Sequence, residues 1–364
     1  MLHPDYRFEK AKIIFIYLTT YHSPMRFILL TNVLLLSAYS LFAQTNPFKD
    51  EKVQKEKAAQ FITSHHISEI DQTLVVFKDG QVIDSSKTED FYYDNKGRQS
   101  KTMLYLKAYS NTYPEGRLIN QVTNYDYDKR GNEVSAKGNG FPANETRDYA
   151  YDKQGNIIKE TEDQHMVVVY NQDRLGGIRA YTYDKRGNVL TRKNYSLDGK
   201  FAGVTQYIYN DKDELLKSLT FKKSVTVKGD SAVMSGHEEY TYNYASNGLT
   251  KVQFVYNAKD SLTLEKIYMY DTNGNQTKGY EMRGTVKNLV WDYTYDQLGR
   301  VTASMGGPAT LNGLGNKDLR RDGLAHLFYT YNDDGELITI KRIEKDATTG
   351  QEQVLAIEKL SYKH

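Results

Sequence analysis

The decapeptide Tyr-Thr-Tyr-Asp-Lys-Arg-Gly-Asn-Val-Leu at 181–190 is rewritten along the chain, with close versions beginning at Tyr125, Tyr149 and Tyr293. Aligned on Tyr-x-Tyr-Asp/Asn, nine copies start at Phe91, Tyr125, Tyr149, Tyr181, Tyr207, Tyr240, Tyr268, Tyr293 and Tyr329, spaced 24 to 36 residues apart. A degenerate copy sits around Tyr170. Self-similarity at this period signals a repeat architecture and outranks any local propensity.

Each copy reads as a β-hairpin. Asp184 opens the turn, because its short carboxylate accepts hydrogen bonds from backbone N–H groups two or three residues on. Gly187 supplies the positive φ of a three-residue loop with a bulge. The same turn pair recurs at Asp94/Gly97, Asp128/Gly131, Asp152/Gly155, Asp271/Gly274, Asp296/Gly299 and Asn332/Gly335. At Asn210 the glycine position holds Asp213, and at Asn243 the loop reads as longer, with Gly248 late.

Register follows from the loop. With Asp184 facing Asn188, Tyr183 faces Val189 and Thr182 faces Leu190. Alternation then puts the tyrosines on one face with the residue after Gly-Asn. That residue is Gln99, Glu133, Ile157, Val189, Leu215, Gln276, Val301 or Leu337. The Tyr face is expected to be buried and the Thr-rich face half-solvated. Less regular turns such as "LDGK" at 197, "NAKD" at 257 and "MRGT" at 282 join the hairpins. Two turns per repeat give roughly 18 to 20 strands in an up-and-down meander, and a sheet that wide must curl or spiral. The fold class is therefore all-β, with a short N-terminal helix.

Composition agrees. There are 31 tyrosines, 26 glycines and only six prolines, which suits pleated strands joined by many turns. Charge is balanced, 48 basic against 46 acidic residues, so no nucleic-acid partner is expected. Cysteine is absent, which removes disulfides, thiolate metal sites and a cysteine nucleophile.

Three regions follow. Residues 1–43 read as an upstream extension and a signal peptide, with the start at Met25, Arg26 as n-region and Ala43 before the cut. The apolar core there is shorter than the roughly 20 residues of a membrane span. Residues 44–72 contain a helical segment, with Val53, Ala58, Phe61 and Ile62 on one side, placed to cap an end of the sheet. Residues 73–364 form the repeat domain, opening on a hairpin about Lys78-Asp79-Gly80.

Tyr-x-Tyr-Asp-x-x-Gly-Asn iterated in this way resembles the YD-repeat (RHS-repeat) family, over about residues 76–340. That family includes bacterial polymorphic toxins, shell components of insecticidal toxin complexes and teneurin ectodomains. The resemblance implies strands spiralling into a β shell, together with carbohydrate or cell-surface binding. The Asp-Pro-rich signature that ends the toxin shells is missing, and no family catalytic residue maps here.

Chemical motifs are sparse. "HEEYT" at 237 lacks the second histidine of a zinc protease, and no Gly-x-Ser-x-Gly occurs. His65 and His66 read as a helix end, and one Asp per turn is a cap rather than a calcium loop. No metal or cofactor is expected. The longest stretch without strand pattern, 304–326, reads either as a flexible linker between hairpins or as an anion or glycan-contact loop carrying Lys317, Arg320, Arg321 and His326. Stacked tyrosines offer the other candidate surface: Tyr125, Tyr127, Tyr149, Tyr151, Tyr181, Tyr183, Tyr293 and Tyr295. The turn residues Asp128, Gly131, Asp152, Gly155, Asp184, Gly187, Asp271, Gly274, Asp296 and Gly299 read as structural.

The expectation is an exported, non-enzymatic YD-repeat scaffold or binding module, periplasmic or at the cell surface, with a glycan or envelope protein as partner. Two alternatives stay open. One is an outer-membrane β-barrel, for which charges on both strand faces are unfavourable. The other is a polysaccharide-acting enzyme with its site on the 304–326 loop.

Overall fold

The computed structural model describes residues 47–108, 117–140, 143–166, 174–226, 229–308, 324–345 and 351–364. The leader, the degenerate copy at Tyr170, and Lys317, Arg320 and Arg321 lie outside the described residues. One helix, α1 (Pro47–Ser64), precedes twenty strands numbered β1 to β20 in chain order. Among the described residues no helix is long and apolar enough to cross a membrane.

Every strand pairs antiparallel with its neighbours in sequence, as the hairpin repeat predicts. The sheet does more than curl. The first strand, β1 (Glu69–Lys78), pairs with β2 (Gln81–Tyr93) on one side and with the last, β20 (Glu352–Lys363), on the other. Ile70 faces Phe91 across one ladder and Tyr362 across the other. The meander is thus a closed barrel of twenty strands, and closure removes the unpaired edges that an open sheet would present. This is the architecture of the barrel alternative rather than of an open scaffold.

The repeated turn forms as its residues dictate. Asp184 Oδ1 accepts the N–H groups of Arg186 and Asn188, both at 2.8 Å. Gly187 takes φ +80° and donates its N–H to the Asp184 carbonyl at 3.1 Å. Asp213, in the glycine position of its copy, adopts φ +64°. Neighbouring turns are laced together by arginine: Arg186 reaches the Asn210 and Asp211 carbonyls at 3.2 and 3.0 Å.

Two register expectations need correction. Tyr183 does face Val189, but Thr182 faces Thr191, not Leu190. A β-bulge inserts one residue there, and the same bulge recurs after Tyr93, Tyr127, Tyr151, Tyr209, Tyr270, Tyr295 and Tyr331. A bulge sharpens local twist, so a ring of them at one height helps to bend the wall. At Asn243 the loop is shorter than expected, not longer. The strand β12 (Gly229–Ala245) runs two residues past Asn243, and Ala245 pairs directly with Gly248.

The stretch 304–326 is also trimmed by strand at both ends. The strands β17 (Val301–Pro308) and β18 (Leu324–Tyr331) take its first and last residues, and His326 faces Met305 in their ladder. The glycines of "MGGP" hide this strand from a propensity reading, and 309–323 lie outside the described residues.

The helix decides which face is inside. Ile62 packs in one cluster with Ile70, Phe91, Val301, Tyr329, Leu337, Ile340 and Leu360. Tyr93, Tyr293, Tyr295 and Tyr331 border it. The Tyr face is therefore the inner wall, and Val189, Val301 and Leu337 on it are each 1% exposed. Helix α1 lies against one arc of that wall at the turn end, where His65 Nε2 meets the Asp334 carbonyl at 3.1 Å. The α1 backbone is so close to the first YD turn that a Cβ on Gly97 would sit 2.2 Å from the Ala59 carbonyl oxygen.

Candidate functional site: the inner wall

An eight-stranded barrel is just filled by its own side chains, whereas barrels of sixteen or more leave an aqueous channel. Twenty strands at about 4.8 Å spacing give a perimeter of roughly 95 Å across the strands. The apolar cluster around Ile62 draws on α1, on Ile67 in the connection that follows it and on strands contiguous in the wall, β16 (Val286–Tyr295) through β20, β1 and β2. Among the described residues the opposite arc has no such cluster, and its first tyrosines Tyr125, Tyr149, Tyr181, Tyr207, Tyr240 and Tyr268 stay half-buried. The inside of this barrel is therefore a lumen lined in layers.

The layer nearest the turns is a ring of tyrosine hydroxyls bonded to backbone. Tyr127, Tyr151, Tyr183 and Tyr295 donate to the carbonyls of Gln99, Glu133, Ile157 and Gln276 at 2.8, 2.6, 2.6 and 2.6 Å. Tyr331 and Tyr362 do the same to Val301 and Leu337 at 2.9 and 2.8 Å. Each acceptor is the first residue of the preceding strand. The second tyrosine of the phrase therefore closes the gap between adjacent hairpins, at the rim where the main-chain ladder ends. Its hydroxyl is committed to that bond. Burial pushes the Tyr183 hydroxyl up to about 12, so it stays a donor.

The first tyrosines form the next layer. Tyr125 shares a hydrogen bond with Thr102 at 3.3 Å, and Tyr181 donates to Glu160 Oε2 at 3.0 Å. Burial, above all, raises the pKa of Tyr125, Tyr149, Tyr181 and Tyr293. All eight candidate tyrosines thus line the lumen, four as ties to the backbone and four as half-buried or buried rings.

One step further from the turns lies a belt that the sequence reading missed. Arg179 pairs with Glu160 at 2.6 Å and Glu162 at 2.9 Å. Arg147 pairs with Glu145 at 2.8 Å. Glu238 accepts from Ser218 at 3.2 Å, and Lys251 lies 5.3 Å from the Tyr240 ring centroid. The missed signal is period two: Arg147, Arg179, Glu238 and Lys266 each stand two residues before a first tyrosine, on the same face.

The outward face is mixed. Ile158, Leu190, Ile208, Leu216, Met269 and Phe328 are exposed on it. Lys101, Lys159, Lys217 and Lys278 share that face, opposite the middle residue of Tyr-x-Tyr. So do Asp292 and Glu239, which pair with Lys278 at 3.8 Å and Lys217 at 2.7 Å.

No protein-family model matches this chain, and no curated protein does. Among solved structures it is similar to a porin-like protein from Bacteroides uniformis ATCC 8492, with TM-score 0.33 and 11% identity over 82% of this chain and 98% of that one. A porin-like protein from Bacteroides vulgatus ATCC 8482 gives 0.25 and 12%, with the same coverage. The TcdB2-TccC3 complex gives 0.18 and 12% over 79% of this chain and 20% of that one. None of these TM-scores reaches the level at which two chains share a fold.

Proposed function

We propose that this chain is an exported β-barrel of the cell envelope that works through its lumen, holding or passing polar solutes. The observation that supports it is closure. Twenty paired strands enclose an inner wall whose third layer from the turns is charged, and such a wall has no purpose in a sealed core. The turn ring and α1 stiffen one end, and the charged belt faces water further in.

We place the barrel in the aqueous part of the envelope, because of its outer wall. Lysine on a lipid-facing strand costs about 2–4 kcal/mol at mid-bilayer. Lys101, Lys159, Lys217 and Lys278 point outward at one height, and no apolar band separates them from the acidic residues above. A second reading, a barrel seated in the outer membrane, is favoured by the closed wall itself and by the exposed Ile208, Met269 and Phe328. Fractionation decides between the two. Recovery of the exported protein in detergent-free extracts supports the aqueous barrel, and recovery only with detergent overturns it.

A repeat-family origin fits the turn chemistry, and a glycan remains the polar solute that a tyrosine-lined wall suits best. Exclusion of a small neutral sugar from the lumen, read by tyrosine fluorescence and thermal shift over an oligosaccharide panel, would remove that version.

A further inference from the structure

We propose that Glu89, Gln72 and Glu358 form a binding site for a hard divalent cation on the inner wall. Glu89 on β2 faces Gln72 on β1 in register, and Glu358 on β20 lies one inward step along. Gln72 Nε2 donates to Glu358 Oε2 at 2.8 Å, which ties the two outer members together. Glu89 is 5% exposed, and among the described residues neither a hydrogen bond nor an ion pair reaches its carboxylate. Its other neighbour in register, on β3 (Gln99–Ala108), is Leu104, which offers no donor. Arg342 on β19 (Leu337–Lys345) acts on Glu358 and does not answer Glu89.

A stranded carboxylate in so buried a place is costly unless something neutralises it. Hard cations take carboxylate and amide oxygens and complete their shell with water. Glu89 brings two such oxygens, Glu358 a free one and Gln72 its amide oxygen. The lumen supplies the water, and in this the site rests on the lumen reading above. The polar patch is bounded by the apolar cluster under α1 on one side and by Leu74, Val76 and Ala356 on the other.

The outer wall offers an instructive contrast. Glu69, Asp71 and Asp90 gather there too. Lys87 already sits 2.7 Å from Asp90 and 3.1 Å from Asp71, and Lys363 lies 2.8 Å from Glu69. Those ammonium groups do the work of a cation. On the inner wall nothing comparable reaches Glu89.

A proton is the competitor. Burial, with Asp90 and Glu358 adding to it, pushes the Glu89 carboxyl up to about 8. The cation must therefore act above that pH and lose to protons below it. The test is calcium chloride added to the full exported chain, read by thermal unfolding at about pH 9 and about pH 6. Saturating Ca²⁺ at the higher pH should raise the midpoint by roughly 2–4 °C, and at the lower pH it should not. Glu89→Gln and, separately, Glu358→Gln should abolish the rise, while Asp71→Asn on the outer wall should keep it. No rise at the higher pH, or a rise that survives Glu89→Gln, overturns the site. Iodide quenching of tyrosine fluorescence runs alongside. If the rise is missing while the tyrosines are quenched, the cation site alone falls. If they are also shielded, the open lumen falls with it.

Discussion

Replacing Gly97 by alanine isolates the contact between α1 and the barrel. Gly97 has φ +70°, so alanine there meets the left-handed penalty of about 1–2 kcal/mol. It meets a second obstacle. The new Cβ would lie 2.2 Å from the Ala59 carbonyl oxygen and 2.5 Å from Thr63 Oγ1, so α1 must lift from the turn. Lifting exposes Ile62, now 6% exposed, whose burial is worth about 1.5–3 kcal/mol. The total is roughly 2.5–5 kcal/mol. Two controls carry the backbone penalty alone. Gly187 has φ +80° with only Asn156 Oδ1 near, at 3.9 Å, and Gly80 has φ +76° with nothing within 4 Å. Denaturant midpoints should therefore fall about twice as far or more for Gly97→Ala as for Gly187→Ala or Gly80→Ala. Limited trypsin digestion should show new cleavage at Lys55 and Lys57 in Gly97→Ala only. Equal losses in all three variants, with α1 still protected, would refute the docking argument.

Tyr183→Phe removes the hydroxyl bond to the Ile157 carbonyl and should cost about 0.5–1.5 kcal/mol in urea unfolding. Tyr209→Phe at the equivalent position should be neutral or stabilising, because the Tyr209 hydroxyl is buried without a partner. Acid should weaken the turns. Burial raises the Asp184 carboxyl, but the donors from Asn188 and Arg186 outweigh it, so its folded pKa is depressed. Its stabilisation is present above the ordinary aspartate value of about 3.9 and is lost as pH falls through the folded one, so Asp184→Asn should unfold less steeply with acid. Glu89 runs the other way: its raised pKa means stability present below about 4.3 and lost as pH climbs through about 8, and Glu89→Gln should flatten that alkaline decline.

The hairpin was legible because it is written in residues with one conformational use each. Asp184 and Gly187 fix a loop, the loop fixes the Tyr183–Val189 pair, and the pair fixes a face. The bulge was not legible, since Leu190 and Thr191 carry no mark that says which of them leaves the ladder. Closure was not legible for a different reason. It depends on a pairing between β1 and β20 that spans nearly the whole described chain, and neither strand contains the repeat phrase that gives the others their register. The Asn243 hairpin misleads through its landmark: Gly248 reads as a late loop glycine, yet it is the first residue of the strand β13 (Gly248–Asn257).

The repeat and the lumen pull on the same tyrosines in different ways. In most copies the second tyrosine is spent on a backbone carbonyl, as at Tyr127, Tyr151, Tyr183, Tyr242, Tyr295 and Tyr331, while the Tyr209 hydroxyl has no partner. From the first tyrosine inward the copies diverge. Beyond the first tyrosine stand Glu89, Arg147, Arg179, Glu238 and Lys266, a charge in five of the nine repeats, and Thr123, Thr205, Trp291 and Leu327 in the others. A scaffold alone gives no reason to place charge on the inner face of a wall, where each ion must find a counter-ion or water. Most of these found counter-ions within a strand or two: Arg179 has Glu160 and Glu162, and Lys266 has Glu281 at 3.9 Å. Glu89 did not, and at that buried carboxylate a ligand, rather than the fold, has to complete the chemistry.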